Sequence, residues 1–398
     1  MNTIICGLDI ASTSARAALI DGASAIVQEL DPPATRAGED QLLGLLPPAS
    51  TVIMESTGRY HLRWARRLAA AGHEVYVLNA LLAKRLATST NALREYKSDP
   101  IDARHLAHVG RLHLASIRTY RFRENPARQR LRELCQVRTT QRKILTEVLA
   151  VAHHYLGLLL PEAQSLELHF AQHKAAVRLF LSVDSLKQLR GLRLSTLQKH
   201  LGDKAVPFQA LLRAPLNAAA LFDAYLPALH AQLRLIHSLH QLLAQLARDI
   251  RQAARDSGRW QHIQLAESLP GFGEKSTPAI IACLPDGWEQ WGDKRTTANK
   301  LQAYFGCDPR VRTSGKWEGR VKMTKRGNEL ARTALFQAAF CALRVDAGLH
   351  ATYRAQIAAG KHHKVAISHV MRRQLRRLVA VLKNGTPFVP DHSLAPAA

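Results

Sequence analysis

In a chain dominated by lysine and arginine, acids that close apolar runs stand out. Asp9 follows "IICGL" and Glu55 follows "TVIM", which puts each at or near the carboxyl end of an expected buried strand, where open α/β sheets hold their ligands. Asp99 and Asp102 come together in "KSDPIDARHLA". Pro100 suits a first helical position, and a spacing of three sets both acids on one side of the helix start. Singly, each acid has a structural reason to be there: Asp99 as an N-cap, Asp102 as a first-turn acid favoured by the helix dipole, Asp9 and Glu55 as turn residues. Together they match another need. Two divalent cations roughly 4 Å apart require carboxylates from separate elements, and they then activate a water or hydroxyl and stabilise the leaving oxygen.

A second set lies far downstream. Ser314 sits in "VRTSGKWEGR", most simply a β-hairpin with Ser-Gly at its turn, and Ser-Gly is common turn chemistry. Arg312, Lys316, Arg320, Lys322, Lys325 and Arg326 surround it. Such cations would hold a phosphate and favour an alkoxide-like transition state, but alone they imply only binding of a nucleic-acid backbone. Gly271 and Gly273 in "LPGFG" either present amides to a phosphate before a helix or form a tight turn with no ligand. The pairs His153-His154 and His362-His363 lack a partner spacing for a metal and suit solvated helical positions. Trp288, Trp291 and Trp317 suit packing better than base stacking in a chain with 6% aromatics.

The elements that would position these residues fall into three regions. Up to about residue 160, short β-rich runs ("TIICGLDI", "RAALID", "STVIMESTG", "HEVYVLN") alternate with helical spacing in "HLRWARRLAAAG" and "LLAKRLATST", predicting an α/β domain that opens with a hairpin and continues in strand-helix-strand units. Residues 161 to 259 carry almost no strand signal. There Leu226, Leu229, Leu233, Ile236, His240, Leu243, Ala247 and Ile250 alternate spacings of three and four, as a coiled coil or a long helix packed inside its own chain requires. Residues 260 to 390 predict a small, mostly helical domain with a basic hairpin, and residues 391 to 398 a frayed tail. The expected class is α/β plus α.

The chain has 398 residues, enough for two or three cores, and 55 Lys and Arg against 31 Asp and Glu, a net charge of +24. A polyanion, first of all nucleic acid, is the expected partner. An anionic membrane fits less well because the cations form no isolated amphipathic segment. Five scattered cysteines, never in a C-x-x-C pair, argue against a disulfide framework and a zinc ribbon and suit buried thiols in a reducing cytoplasm. No apolar run approaches a signal peptide or a membrane span.

Two families share the opening hairpin. "GLDIASTSARAALID" resembles the phosphate loop of sugar kinases and actin-like ATPases, but those place a glycine where this chain has Ala11, and they need a second acid-glycine-threonine hairpin in mid-chain, where this sequence is helical. The set Asp9, Glu55, Asp99 and Asp102, with "MESTGRY" and "KSDPIDARHLA" around it, resembles instead the DEDD acids of transposases of the bacterial insertion sequence 110 family. Their N-terminal domain is similar to ribonuclease H-like Holliday-junction resolvases of the RuvC type. "LPGFG" and "KLQAYFGCDPRVRTSGKWEGRVKMTKRGN" are similar to that family's second domain. The resemblance implies that the four acids bind Mg²⁺, two ions in the usual arrangement, and that Ser314, with Thr313 as its local competitor, is the nucleophile. It further implies DNA as substrate, a noncoding guide RNA from the element, and a homo-oligomer, dimer or tetramer, through the helical middle. Two alternatives remain at this point: a metal-dependent junction resolvase that uses water, and a non-catalytic nucleic-acid-binding protein.

Overall fold

The computed structural model describes residues 4–56, 58–90, 99–170, 174–214, 216, 219–310, 313–314, 317–318 and 322–390, with the side chains of Asp99, Ser314 and Lys322 among those left undescribed. The chain divides into two compact units, 1–125 with 285–290, and 126–284 with 291–398. The expected α/β region to residue 160 therefore runs past the first unit, through a helix that packs with the later ones.

The first unit is built on a five-stranded sheet. Its strands are β1 (Ile5–Ile10), β2 (Ala15–Ile20), β3 (Ile26–Leu30), β4 (Thr51–Glu55) and β5 (Glu74–Leu78), in the order β3-β2-β1-β4-β5. The first three form an antiparallel meander, while β4 and β5 run parallel to β1. Four helices cover it: α1 (Arg36–Leu45), α2 (His61–Ala70), α3 (Ala80–Thr90) and α4 (Asp99–Ile117).

Alternation along the strands sorts the side chains. Cys6, Leu8, Val52 and Met54 share one core with Leu42 of α1 and Trp64 of α2. Ile5, Ile53 and Tyr76 share the other with Leu106, Ala107 and Val109 of α4. This two-sided burial explains why β1 and β4 read as nearly unbroken apolar runs. The mixed sheet with its covering helices is compatible with the RuvC-like expectation for the N-terminal region.

In the second unit α5 (Pro126–Leu159) is followed by the short helices α6 (Lys174–Leu181), α7 (Leu186–Arg190), α8 (Leu194–Leu201) and α9 (Ala205–Arg213), then by α10 (Ala219–Asp256). Leu226, Leu229, Leu233 and Ile236 of α10 are all within 1% of full burial. They join Leu145, Ala152 and Leu156 of α5 and Val177 of α6 in one core, so the periodic seam is filled from within the chain. Each such side chain contributes roughly 1.5–3 kcal/mol. His240 interrupts the seam half-buried, and burial lowers its pKa.

The rest of this unit comprises α11 (Trp260–Glu267), α12 (Thr277–Ala282), α13 (Lys294–Tyr304), four two-residue strands β6 (Pro309–Arg310), β7 (Thr313–Ser314), β8 (Trp317–Glu318) and β9 (Lys322–Met323), then α14 (Glu329–Ala342), α15 (Ala347–Ala358) and α16 (His363–Asn384). Among the described residues no helix is long and apolar enough to cross a membrane. The tail expected at 391–398 lies outside the described residues.

Candidate active site

Asp9 is the penultimate residue of β1, opposite Arg16 of β2, and Leu8 one step earlier pairs with Met54 of the parallel β4. Asp9 and Glu55 thus end neighbouring strands at the same edge of the sheet. Their parity is that of Ile5 and Ile53, so both belong to the face covered by α4. Both are half-buried.

Gly7 fixes how α4 crosses that face. A Cβ on Gly7 would run into the carbonyl oxygen of Ala103 and the amide of Ala107, and one on Gly110 would meet Ile53 at 2.6 Å and Ile5 at 2.9 Å. With residue 110 over the start of β1 and residues 103–107 over its middle, α4 runs against β1. Its first turn, with Asp99 and Asp102, therefore extends toward the strand ends that carry Asp9 and Glu55. Asp102 is half-buried, and the side chain of Asp99 lies outside the described residues. Backbone placement brings the four acids to one edge. Among the described residues, however, no three His, Cys, Asp or Glu side chains are gathered as a metal site.

Sequence reasoning missed the residues that tie this edge down. Arg104 donates from Nε and Nη2 to both carboxylate oxygens of Glu29, at 2.6 and 2.7 Å, pinning the start of α4 to the edge strand β3. Arg16 makes the same two-pronged pair with Asp31. The hydrogen bonds from Arg104 and from Arg16 hold the Glu29 and Asp31 carboxyls below their usual pKa. Gly7 had a visible signal, since a glycine inside an apolar strand marks a close backbone approach. The arginine partners, 75 and 15 positions away, had none.

Ser314 occupies the last position of β7, paired with Trp317 of β8. Outside this short ladder β6 pairs with β9, Pro309 opposite Met323 and Arg310 opposite Lys322, so the described strands of the basic run form two nested antiparallel pairs with the serine in the inner one. The hairpin's base is firmly held. Amides of Thr324, Lys325 and Asn328 donate to carbonyls of Asp308, Gly306 and Tyr304 at 2.8, 3.1 and 3.1 Å. Arg332 donates to the carbonyls of Phe305 and Lys325 at 3.1 and 3.2 Å. Lys325, at φ +53°, and Arg326 are exposed there. Arg312, Lys316 and Arg320 lie outside the described residues, as does the Lys322 side chain.

The two ends of the chain match models of one family. A transposase model of the DEDD, IS110 type covers residues 6–160, and the model "Transposase IS116/IS110/IS902 family" covers residues 263–354. The first range holds all four acids and the second holds Ser314. The chain is 26% identical to a Streptomyces coelicolor protein assigned as the mini-circle transposase for IS117, over 99% of this chain and 97% of that one.

The chain belongs to the IS110 family of transposases.

Two further relatives cover less. An uncharacterized 43.6 kDa protein of insertion element IS110 from Streptomyces coelicolor is 29% identical over 30% of this chain and 28% of its own. An uncharacterized 42 kDa protein of insertion element IS900 from Mycobacterium paratuberculosis is 26% identical over 35% and 34%. The protein is accordingly an enzyme, a DNA transposase, and DNA is its implied partner.

The "LPGFG" turn of this transposase is clamped on several sides. Gly271, at φ +80°, lies so close to α14 that a Cβ would strike the Ala338 carbonyl oxygen and the Ala342 amide. Gln374 of α16 donates to the Pro270 carbonyl at 2.5 Å. Arg138 of α5, 9% exposed, donates to the carbonyls of Glu274 and Lys275 at 3.3 and 3.1 Å. A Cβ on Gly273 would meet nothing within 4 Å.

Other candidates resolve into packing. All five thiols are free, and burial pushes those of Cys6, Cys135 and Cys307 up to about 12, so they are poor nucleophiles. Cys341 is exposed, unlike the buried position expected for it. His153 is half-buried, not solvated: it stacks on Phe170 and accepts that residue's amide at 3.2 Å. His363 shares a 2.7 Å hydrogen bond with Tyr353. Trp288 is fully buried, and Trp291 packs edge-on against Tyr304. Trp317 lies outside the described side chains.

Proposed function

We propose that this transposase cleaves and rejoins DNA strands with Ser314 as nucleophile and Asp9, Glu55, Asp99 and Asp102 as ligands of divalent metal, Mg²⁺ in two ions. The carrying observation is that Asp9 and Glu55 end neighbouring parallel strands on the face that α4 crosses, with the other two acids in that helix's first turn. The donor set fits a hard cation, since all four ligands are carboxylates and Asp9, Glu55 and Asp102 are half-buried. When bound, the metal supplies charge to activate the attacking oxygen and to stabilise the leaving one.

Ser314 Oγ loses its proton and forms a bond to phosphorus, and the phosphorus–oxygen bond to one strand breaks, its oxygen taking up a proton. A hydroxyl of a second strand then attacks the phosphoserine, and the serine regains its proton. Because the diester bond is conserved at each step, no high-energy cofactor is needed. The cations of the hairpin, Arg312, Lys316, Arg320, Lys322, Lys325 and Arg326, hold the phosphate being exchanged, and Gly271 and Gly273 form part of the nucleic-acid surface.

The acid-bearing region is taken as a RuvC-like domain to about residue 160, and the serine-bearing one as a transposase domain from about residue 260. A noncoding guide RNA reads the DNA by base pairing while the protein grips backbones, which suits a charge of +24. The work is done in the bacterial cytoplasm. A homo-oligomer forms through the long helices; Val137, Ile144, Val151 and Leu158 lie seven residues apart on α5 and are 36–44% exposed, the spacing of a seam for a second helix.

The test is trapping. The protein is incubated with Mg²⁺, element-end DNA and co-purified RNA, and a protein–DNA adduct is expected that Ser314→Ala abolishes. Normal metal-dependent cleavage by Ser314→Ala would instead identify a nuclease that uses water.

A further inference from the structure

A cavity of about 610 Å³ opens within the second unit, walled by α5, the turn from Gly271 to Ser276, and α14. Its size lies in the range of small-ligand sites. We infer that this cavity seats one unpaired nucleotide of a DNA or RNA strand, with the phosphate on Arg142 and Lys275 and the base against Phe340. The inference rests on the reading of the protein as a nucleic-acid enzyme, but not on which residue performs the chemistry.

Charge at the cavity is unbalanced toward cations. Arg142, Lys143 and Lys275 line it with a single acid, Glu274. Glu274 is 3.5 Å from Arg251, and Lys143 is 3.6 Å from Glu329. Among the described residues Arg142 and Lys275 have no acidic partner, so both are available to an incoming anion. Phe340 supplies the apolar surface. It lines the cavity and is 40% exposed, with the Arg344 guanidinium 5.8 Å from its ring centre. An exposed phenylalanine beside unpaired cations is how single strands are held, because every base has a face to stack and every linkage a charge.

The wall opposite α14 is fixed in advance. Arg138, buried and donating to the Glu274 and Lys275 carbonyls, holds the backbone of the residue that would meet the phosphate. Its guanidinium faces two carbonyls, not the solvent, and that makes it a positioning residue. A base held in a duplex stack cannot enter a walled cavity, so the occupant is a nucleotide from a loop, an end or a displaced strand.

The test uses the full chain in chelator, so that cleavage does not intervene, and fluorescence anisotropy with labelled single-stranded thymidine and uridine octamers and a duplex octamer. The wild-type protein is expected to prefer single strands, and the DNA and RNA arms report which strand occupies the cavity. The double variant Arg142→Ala, Lys275→Ala should weaken binding about tenfold or more and reduce the slope of log affinity against log salt by about 0.7, one phosphate contact's worth. Phe340→Ala should weaken it about fivefold to a hundredfold with the salt slope unchanged. All three side chains are exposed, and thermal melts identify any variant that fails to fold; 5-iodouracil crosslinking to the peptide around Phe340 then decides on wild-type protein. Ser314→Ala should bind as wild type does, so loss of catalysis and loss of this site are separable. Wild-type affinity in all variants, equal affinity for duplex, no single-strand binding, or a crosslink elsewhere would each overturn the inference.

Discussion

The acids and the serine are presented by opposite kinds of structure. Asp9 and Glu55 are locked by strand register and by the close approach of α4 to Gly7, and two arginine–carboxylate pairs fasten the surrounding elements. Ser314 sits in antiparallel pairs only two residues long, held below by five hydrogen bonds to Asp308, Gly306, Tyr304, Phe305 and Lys325. Metal ligands must converge within tenths of an ångström and therefore belong on rigid elements. In the proposed reaction the serine meets one strand and then hands it to another, a task that two-residue ladders held at one end suit better than a rigid sheet.

The contrast is broken most directly at the acids. Asp9→Ala or Glu55→Ala should lower strand cleavage about a thousandfold or more, roughly 4 kcal/mol of barrier, while DNA binding by gel shift stays within about threefold. Retained cleavage would mean that the strand-end acids are turn residues after all.

Gly7→Val tests the rigid half through packing alone. The added side chain must displace α4, and overpacking of this kind costs about 1–3 kcal/mol or more. A melt of the variant should show that loss, and cleavage should fall as well, because the first turn of α4 moves with the helix. Unchanged cleavage in a destabilised protein would separate the helix from the site.

Arg138→Met probes the clamped turn of the second unit. It leaves two carbonyls without their donor, at about 1–3 kcal/mol, and should loosen the Glu274–Lys275 backbone, seen as faster amide exchange there with the hairpin unaffected.

The smallest effect is that of pH. Burial lowers the pKa of His73 and His108 in the first unit, with His105 and Arg111 adding to the shift of His108. Both stay neutral in the fold while the unfolded chain takes up protons below about 6.5. The stability they permit is therefore complete above about pH 6.5 and is lost as pH falls toward the depressed values. Denaturant titrations at pH 7.5 and 5.5 should show a decrease, smaller in His73→Gln; an increase on acidification would contradict the assignment.

Much of this was legible in the sequence, for local reasons. Apolar runs that end in acids gave β1 and β4, and the spacing of Leu226, Leu229, Leu233 and Ile236 gave α10. The helix partner of that seam was not legible, because periodicity specifies an apolar face and not whose surface covers it; α5 of the same chain does. The hairpin was visible in "TSGKW", but the clamps on the base and on the "LPGFG" turn were not. Arg332, Arg138 and Gln374 act across gaps of 7 to 137 positions, and nothing in their neighbourhoods marks them.

The convergence of the four acids is tested most directly by Mn²⁺ binding, followed by electron paramagnetic resonance on the intact protein with and without DNA. The account predicts one or two bound ions per chain that vanish together in Asp9→Asn and in Glu55→Gln, while Ser314→Ala keeps them. Mn²⁺ bound with the same stoichiometry and affinity in both acid variants would contradict it.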